Sequence, residues 1–257
     1  MDRQTLQEYL SKMNIVLNER QAEQFLLYND LLLEWNSFMN LTAITAPDDV
    51  LKKHFADSLA LYLLPDNPLT DRLRRGASFS LIDIGTGAGF PAIPLKIAFP
   101  QLQITMLDSL HKRIGFLNEV ISRLGLEGIS AIHGRAEDYA KPAQLRGSFD
   151  MTVSRAVANM STLSEYCLPY VRKDGYFIAY KAAEFAAGSP PDGSGSAEKE
   201  AAAGALRILG GTLEKVFEYT LPETDYYRCL AVVRKTAPTP KKYPRKAGLP
   251  AKEPIIE

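Results

Sequence analysis

Three glycines alternate in Ile84-Gly85-Thr86-Gly87-Ala88-Gly89-Phe90, directly after the apolar run 79–84 and before a helix that can begin at Pro91. Such a turn needs backbone angles open to glycine, and a backbone without Cβ lets a ligand come close. The N–H groups of the loop and of the helix N-terminus then face whatever binds. The next apolar run, 102–107, ends in Asp108 about 20 residues beyond the glycines. A carboxylate there can accept hydrogen bonds from ribose hydroxyls, so loop and acid together imply an adenosine-bearing cofactor. The spacing is G-x-G-x-G, with Phe90 where a dinucleotide fingerprint has a loop residue before its third glycine, which argues against NAD.

Other side chains fall where the same ligand could meet them. In Gly134-Arg135-Ala136-Glu137-Asp138, Glu137 or Asp138 can accept from an adenine amino group, and the backbone around Ala136 can pair with the ring. Solvation at the surface is the other reading of these carboxylates. Arg155 ends the apolar run 149–153, where a fixed guanidinium can meet a carboxylate or a phosphate. His54 and Asp57 lie three apart on a predicted helix and so share a face. They are either an acid–base pair or a tie between that helix and its neighbour.

These positions need a scaffold that brings several loops together. From residue 79 the pattern alternates: strand 79–84, helix 91–98, strand 102–107, helix 110–124, strand 129–132, strand 149–153, helix 159–168 and strand 175–180. That rhythm predicts an α/β fold, a parallel sheet with helices on both faces, whose ligands bind beyond the carboxyl ends of the strands. Two last strands, 212–219 and 227–233, are joined by a short loop and should pair as an antiparallel hairpin at the sheet's edge. A doubly wound sheet ending this way resembles the class I methyltransferases that use S-adenosylmethionine.

Around this domain, 79–235, the chain divides into simpler parts. Residues 1–64 predict a helical extension with helices at 5–13, 20–39 and 48–64; the second carries Phe25, Tyr28, Leu32, Trp35 and Met39 on one stripe. Residues 65–78 read as a linker and 188–204 as an exposed insertion, with an alanine-rich helical stretch over 197–209. Between Arg234 and Lys252 lie seven Lys or Arg and no Asp or Glu, with four prolines interleaved. Such a tail, 236–257, should not fold alone, and it is either simply solvated or offered to a polyanion.

Composition adds bounds. In 257 residues, 46% hydrophobic content can fill a core, and the formal net charge is zero, so only local charge can indicate partners. Cys167 and Cys229 match no metal or redox spacing, which predicts buried thiols, a reducing compartment and no metal. No leader or membrane span is evident, so a cytoplasmic protein without a membrane partner is expected, and we expect a monomer.

Several stretches together resemble the RsmG (GidB) family, methyltransferases that modify guanosine N7 in 16S ribosomal RNA near the decoding site. They are Trp35-Asn36 with Asn40-Leu41-Thr42, His54-Phe55-Ala56-Asp57-Ser58-Leu59, Asp83-Ile84-Gly85-Thr86-Gly87-Ala88-Gly89-Phe90-Pro91, Leu107-Asp108-Ser109-Leu110 with Lys112-Arg113, Ser154-Arg155-Ala156, and the tail from Pro240 to Gly248. The resemblance implies S-adenosyl-L-methionine as cofactor, held by Gly85, Gly87, Gly89, Phe90, Asp108, Ser109, Ala136, Glu137 and Arg155, with the Phe90 ring beside it. It implies 16S rRNA or the small ribosomal subunit as partner. Lys112, Arg113, Lys241, Lys242, Arg245 and Lys246 would contact the RNA, and Arg155 and His54 are the positioning candidates. Ala92, where some members have glycine, and the 188–204 stretch depart from the pattern.

Guanine N7 carries an exposed in-plane lone pair, so its methylation needs no general base. The chain accordingly has no Asn/Asp-Pro-Pro-aromatic motif after strand 149–153 and no Pro-Cys dipeptide. On this reading Arg155→Ala impairs turnover and spares the fold. The alternatives are a cofactor-binding ribosome-assembly factor without turnover, and a small-molecule methyltransferase whose activity survives deletion of residues 234–257.

Overall fold

The computed structural model describes residues 1–141, 143–186 and 194–256. Its strands are β1 (Ser80–Ile84), β2 (Gln103–Asp108), β3 (Ile129–His133), β4 (Phe149–Arg155), β5 (Val171–Ala182), β6 (Gly211–Thr220) and β7 (Tyr227–Lys235). They form one sheet in the order β3-β2-β1-β4-β5-β7-β6. The first five run parallel, and β7 lies antiparallel between β5 and β6. This is the class I methyltransferase arrangement, with a single reversed strand.

Burial explains why the strands read as unbroken apolar runs. β4 is buried at every residue except Arg155, because helices cover both faces. Along β5 the faces alternate: Ile178 packs into one hydrophobic cluster, Phe177 and Ala179 into the other.

One face is covered by the N-terminal helices together with α6 (Ala92–Ala98) and α7 (His111–Leu124). α1 (Arg3–Ser11) begins at Asp2, whose side chain accepts from the Thr5 N–H, and α2 (Glu19–Met39) opens with a reciprocal Asn18–Gln21 capping box. The predicted 48–64 helix is instead a series: α3 (Pro47–Asp49), a π-helical stretch Val50–Ala56, α4 (Asp57–Leu59) and a 3₁₀ turn Ala60–Leu63. The first cluster runs continuously from Leu6 through Phe25 and Phe55 to Leu81 and Val153. The helical extension is thus a layer of the domain.

The stretch 65–78 is more than a linker. Asn67 caps α5 (Pro68–Arg74), which buries Leu69, Thr70 and Leu73. On the other face lie α8 (Ala136–Tyr139), α9 (Met160–Cys167), α10 (Ser194–Leu209) and α11 (Leu249–Lys252). α10 corrects the expected exposed insertion in part: Ala202, within 188–204, is buried in the second cluster, as are Ala205, Leu206 and Leu209 just beyond it. The residues of 188–204 before Ser194 lie outside the described residues.

The basic tail is also corrected. After β7 it folds back over the domain, burying Thr239, Pro250 and Ile255. Cys167 and Cys229 are buried free thiols. Among the described residues, no helix is long and apolar enough to cross a membrane.

Candidate functional site

The glycine loop leaves the carboxyl end of β1 between β2 and β4. Gly85, Gly87 and Gly89 adopt φ of +72°, +62° and +97°, values that L side chains rarely take. The first and third also lack space. A Cβ on Gly85 would lie 2.6 Å from Val157 Cγ2, and one on Gly89 would lie 2.5 Å from Ile93 Cδ1. Asp83 secures the loop from beneath, its Oδ2 accepting from the Thr86 hydroxyl at 2.7 Å and the Ala92 N–H at 3.3 Å. Burial pushes its carboxyl up to about 7. From the helical layer, the Tyr28 hydroxyl donates to the Ala88 carbonyl at 2.5 Å.

Asp108 ends β2 facing this loop. Its Oδ2 accepts from the Gly87 N–H at 2.9 Å and from Arg113 at 3.1 Å, while Oδ1 accepts from the Leu110 N–H at 2.9 Å. The acid that spacing selected therefore also clamps the glycine turn. Arg113, expected at RNA, is tied to it.

Beyond the strand ends opens a cavity of about 370 Å³, within the range of small-molecule sites. Gly85, Asp108, Ser109, Arg113, Ala136 and Glu137 line it. Sequence reasoning missed Val157, Tyr166 and Ala251 on the same walls. Val157 had a signal, since it lies two residues past Arg155 in a strand-end loop; Ala251 had none, because the fold brings it there from the far end of the chain. Ala136 opens α8, so its N–H has no intrahelical acceptor, and Glu137 accepts from the Gly248 N–H at 2.8 Å.

These walls suit S-adenosylmethionine by donor set. Asp108 and Glu137 are acceptors for hydroxyl and amino groups, the first N–H of α8 is a donor for a ring nitrogen, and Ile84, Leu107 and Val157 supply apolar surface.

Phe90 and Arg155 do not line this cavity. The Phe90 ring stacks on His54 at 4.4 Å and 13° and packs against Tyr28, with the Arg155 guanidinium 4.9 Å from its centroid. Phe90 thus anchors the glycine loop to the helical layer. Arg155 donates to Asp57 Oδ2 at 2.8 Å and to the Lys53 carbonyl at 3.3 Å, while the Tyr219 hydroxyl donates to Asp57 Oδ1 at 2.7 Å. The carboxylate expected to meet Arg155 comes from the protein itself.

His54 is 8% exposed, with Nε2 2.8 Å from the Thr42 hydroxyl and Nδ1 3.3 Å from Arg155. Burial, then the neighbouring guanidinium, lowers its pKa to about 4, so the ring is neutral near pH 7. Of the two readings of His54 and Asp57, the tie between elements is the one the geometry supports.

Of the basic residues assigned to RNA, Lys112, Lys241, Lys242 and Lys246 are exposed. Arg245 is not available: its guanidinium grips the fully buried carboxylate of Glu165, with Nη2 2.7 Å from Oε2 and Nε 3.0 Å from Oε1. An isolated carboxylate at that depth would be costly, so the tail supplies its counter-charge.

The family described as rRNA small subunit methyltransferase G matches residues 21–188. A ribosomal RNA small subunit methyltransferase G of Lachnoclostridium phytofermentans is 50% identical over 255 residues, covering 99% of this chain and 98% of that protein. One from Lactococcus lactis subsp. cremoris is 46% identical over 98% of this chain and 99% of its own. A solved SAM dependent methyltransferase from Aquifex aeolicus is similar at a TM-score of 0.45 and 15% identity, over 70% of this chain and 98% of that one. On the family match and the full-length relatives, the chain belongs to the rRNA small subunit methyltransferase G family.

Proposed function

We propose that this protein transfers the methyl group of S-adenosylmethionine to N7 of a guanosine in 16S rRNA, by alignment and without a general base. When bound, S-adenosylmethionine supplies an activated methyl on sulfur, and the leaving thioether becomes neutral as the base becomes positive. Glu137 and the Ala136 N–H hold the adenine, Asp108 and Ser109 the ribose, and the Gly85 turn lets the donor approach the backbone.

The observation that carries this reading is the state of the titratable groups lining the cavity. Asp108 already accepts from Gly87, Leu110 and Arg113, and Glu137 from Gly248. Burial raises the Tyr166 hydroxyl pKa further above its ordinary range, so it stays protonated. Arg113 and Arg135 are cations. Guanine N7 has no proton to remove, so Glu137 Oε2, which the protein leaves unpartnered among the described residues, serves as an acceptor for the adenine amino group and not as a base. The chain's task is then to hold two reactants in line.

Exposed Lys112, Lys241, Lys242 and Lys246 are offered to phosphates, which makes RNA affinity fall as salt rises. The reading is tested by transfer of labelled methyl to small ribosomal subunits and to protein-free 16S RNA lacking the modification, with the nucleotide then mapped. Label at one guanosine N7 is expected. Cofactor binding without label on either would favour an assembly factor or a small-molecule methyltransferase.

A further inference from the structure

The segment after β7 has an inner side that the basic composition hides. Thr236 and Ala237 N–H groups both donate to the Gly210 carbonyl. Arg146 donates to the carbonyls of Thr239 at 2.6 Å and Tyr243 at 2.8 Å. Arg245 then closes on Glu165 with both its guanidinium and its own N–H, the latter 2.7 Å from Oε1. Three residues later the Gly248 N–H meets Glu137, and the Thr162 hydroxyl donates to the Pro250 carbonyl at 3.1 Å. The next residue, Ala251, is exposed on the cavity wall.

We propose that this segment is a wall of the cofactor cavity, and that Arg245 is a positioning residue for the adenine end, acting through Gly248 on Glu137. The inference rests on the cavity being the S-adenosylmethionine site. Glu137 has two oxygens. Oε1 is held by the strap, and Oε2 has no partner among the described residues, which leaves it to accept from an adenine amino group. A carboxylate fixed on one side reads the other side more sharply than one free to rotate, because ordering has been completed before the ligand arrives. Sites built around a fixed acceptor discriminate strongly against a ligand lacking the matching donor.

The exposed lysines 241, 242 and 246 point to an anionic partner, but the inner contacts of the same segment belong to the cavity. Deleting residues 234–257 therefore cannot separate an RNA enzyme from a small-molecule enzyme, since it removes a wall of the site both would use.

The test is calorimetric binding of S-adenosylhomocysteine and of its inosine analogue, which lacks the adenine amino group, with melting temperature measured alongside. The full chain is compared with the double variant Glu165→Gln/Arg245→Gln, which avoids a stranded buried charge, and with Ala251→Trp, which crowds the wall from an exposed position. The full chain is expected to prefer S-adenosylhomocysteine. The double variant should lose about tenfold in its affinity and most of the preference. Ala251→Trp should lose about tenfold at an unchanged melting temperature. If the double variant does not fold, Ala251→Trp decides alone. Wild-type affinity in Ala251→Trp, or wild-type affinity and preference in a folded double variant, overturns the inference. Failure of the unaltered chain to bind S-adenosylhomocysteine would instead remove the cofactor reading on which it rests.

Discussion

Removing the Arg155 guanidinium takes from Asp57, which is 1% exposed, its nearest cation. Arg228 stands further off, at 3.6 Å from the other oxygen. Breaking one side of a buried pair costs about 3–5 kcal/mol. Arg228 and the Tyr219 hydroxyl stay on Oδ1, so Arg155→Ala should lower stability in urea denaturation by at most about that amount, against the expectation that the change spares the fold. Unchanged stability with lost turnover would return Arg155 to the cofactor or the RNA. His54 gives a second prediction. Its folded pKa of about 4 lies below the ordinary 6.5, so the unfolded chain binds the extra proton first. This contribution is full above pH 6.5 and is lost as pH falls toward 4. Asp83, raised to about 7 from 3.8, acts oppositely and loses stability as pH rises through that interval. The two slopes offset in bulk melting, and residue-resolved NMR is the right measurement. The His54 ring should remain neutral down to about pH 4, and a midpoint near 6.5 would contradict its burial.

Element by element, the strands were legible because buried parallel strands carry uninterrupted apolar runs, and the glycine loop because positive φ restricts residue choice. The helix of α10 was legible over 197–209, but its burial was not. Its buried residues, Ala202, Ala205 and Ala-sized neighbours apart from Leu206 and Leu209, give a weak apolar stripe, and what they pack on is set by tertiary contact. Leu206→Ala should cost about 2–5 kcal/mol in urea denaturation if α10 is core, whereas a loss near zero would restore the exposed insertion. The tail misled for a related reason: composition reports the outward lysines, while Glu165, the partner that folds Arg245 inward, lies 80 residues away. Of the residues lining the cavity, Asp108, Ala136 and Glu137 were readable from their loop positions and Ser109 from the family resemblance. The contacts that Phe90, His54 and Arg155 make with one another and with Asp57 were not readable, because the helical layer above them could not be placed from sequence.

At the scale of the whole molecule, three layers meet at the carboxyl end of the sheet. The N-terminal helices hold the glycine loop through Tyr28 and Phe90, the sheet presents Asp108, and the returning C-terminal segment fixes Glu137. Every carboxylate lining the cavity is already accepting hydrogen bonds from the protein. A site arranged this way orients reactants, and with Glu137 Oε2 given to the adenine amino group the described residues of the cavity offer no further carboxylate as a base, so the transfer step should not titrate. The decisive measurement is the single-turnover rate of methyl transfer to unmodified 16S RNA or small subunits, followed from pH 6 to 8.5 with saturating cofactor. A rate that stays flat across that range, with product at guanosine N7, is the expected result. A rate that rises tenfold per pH unit below a midpoint in that range would reveal a required base and contradict catalysis by alignment.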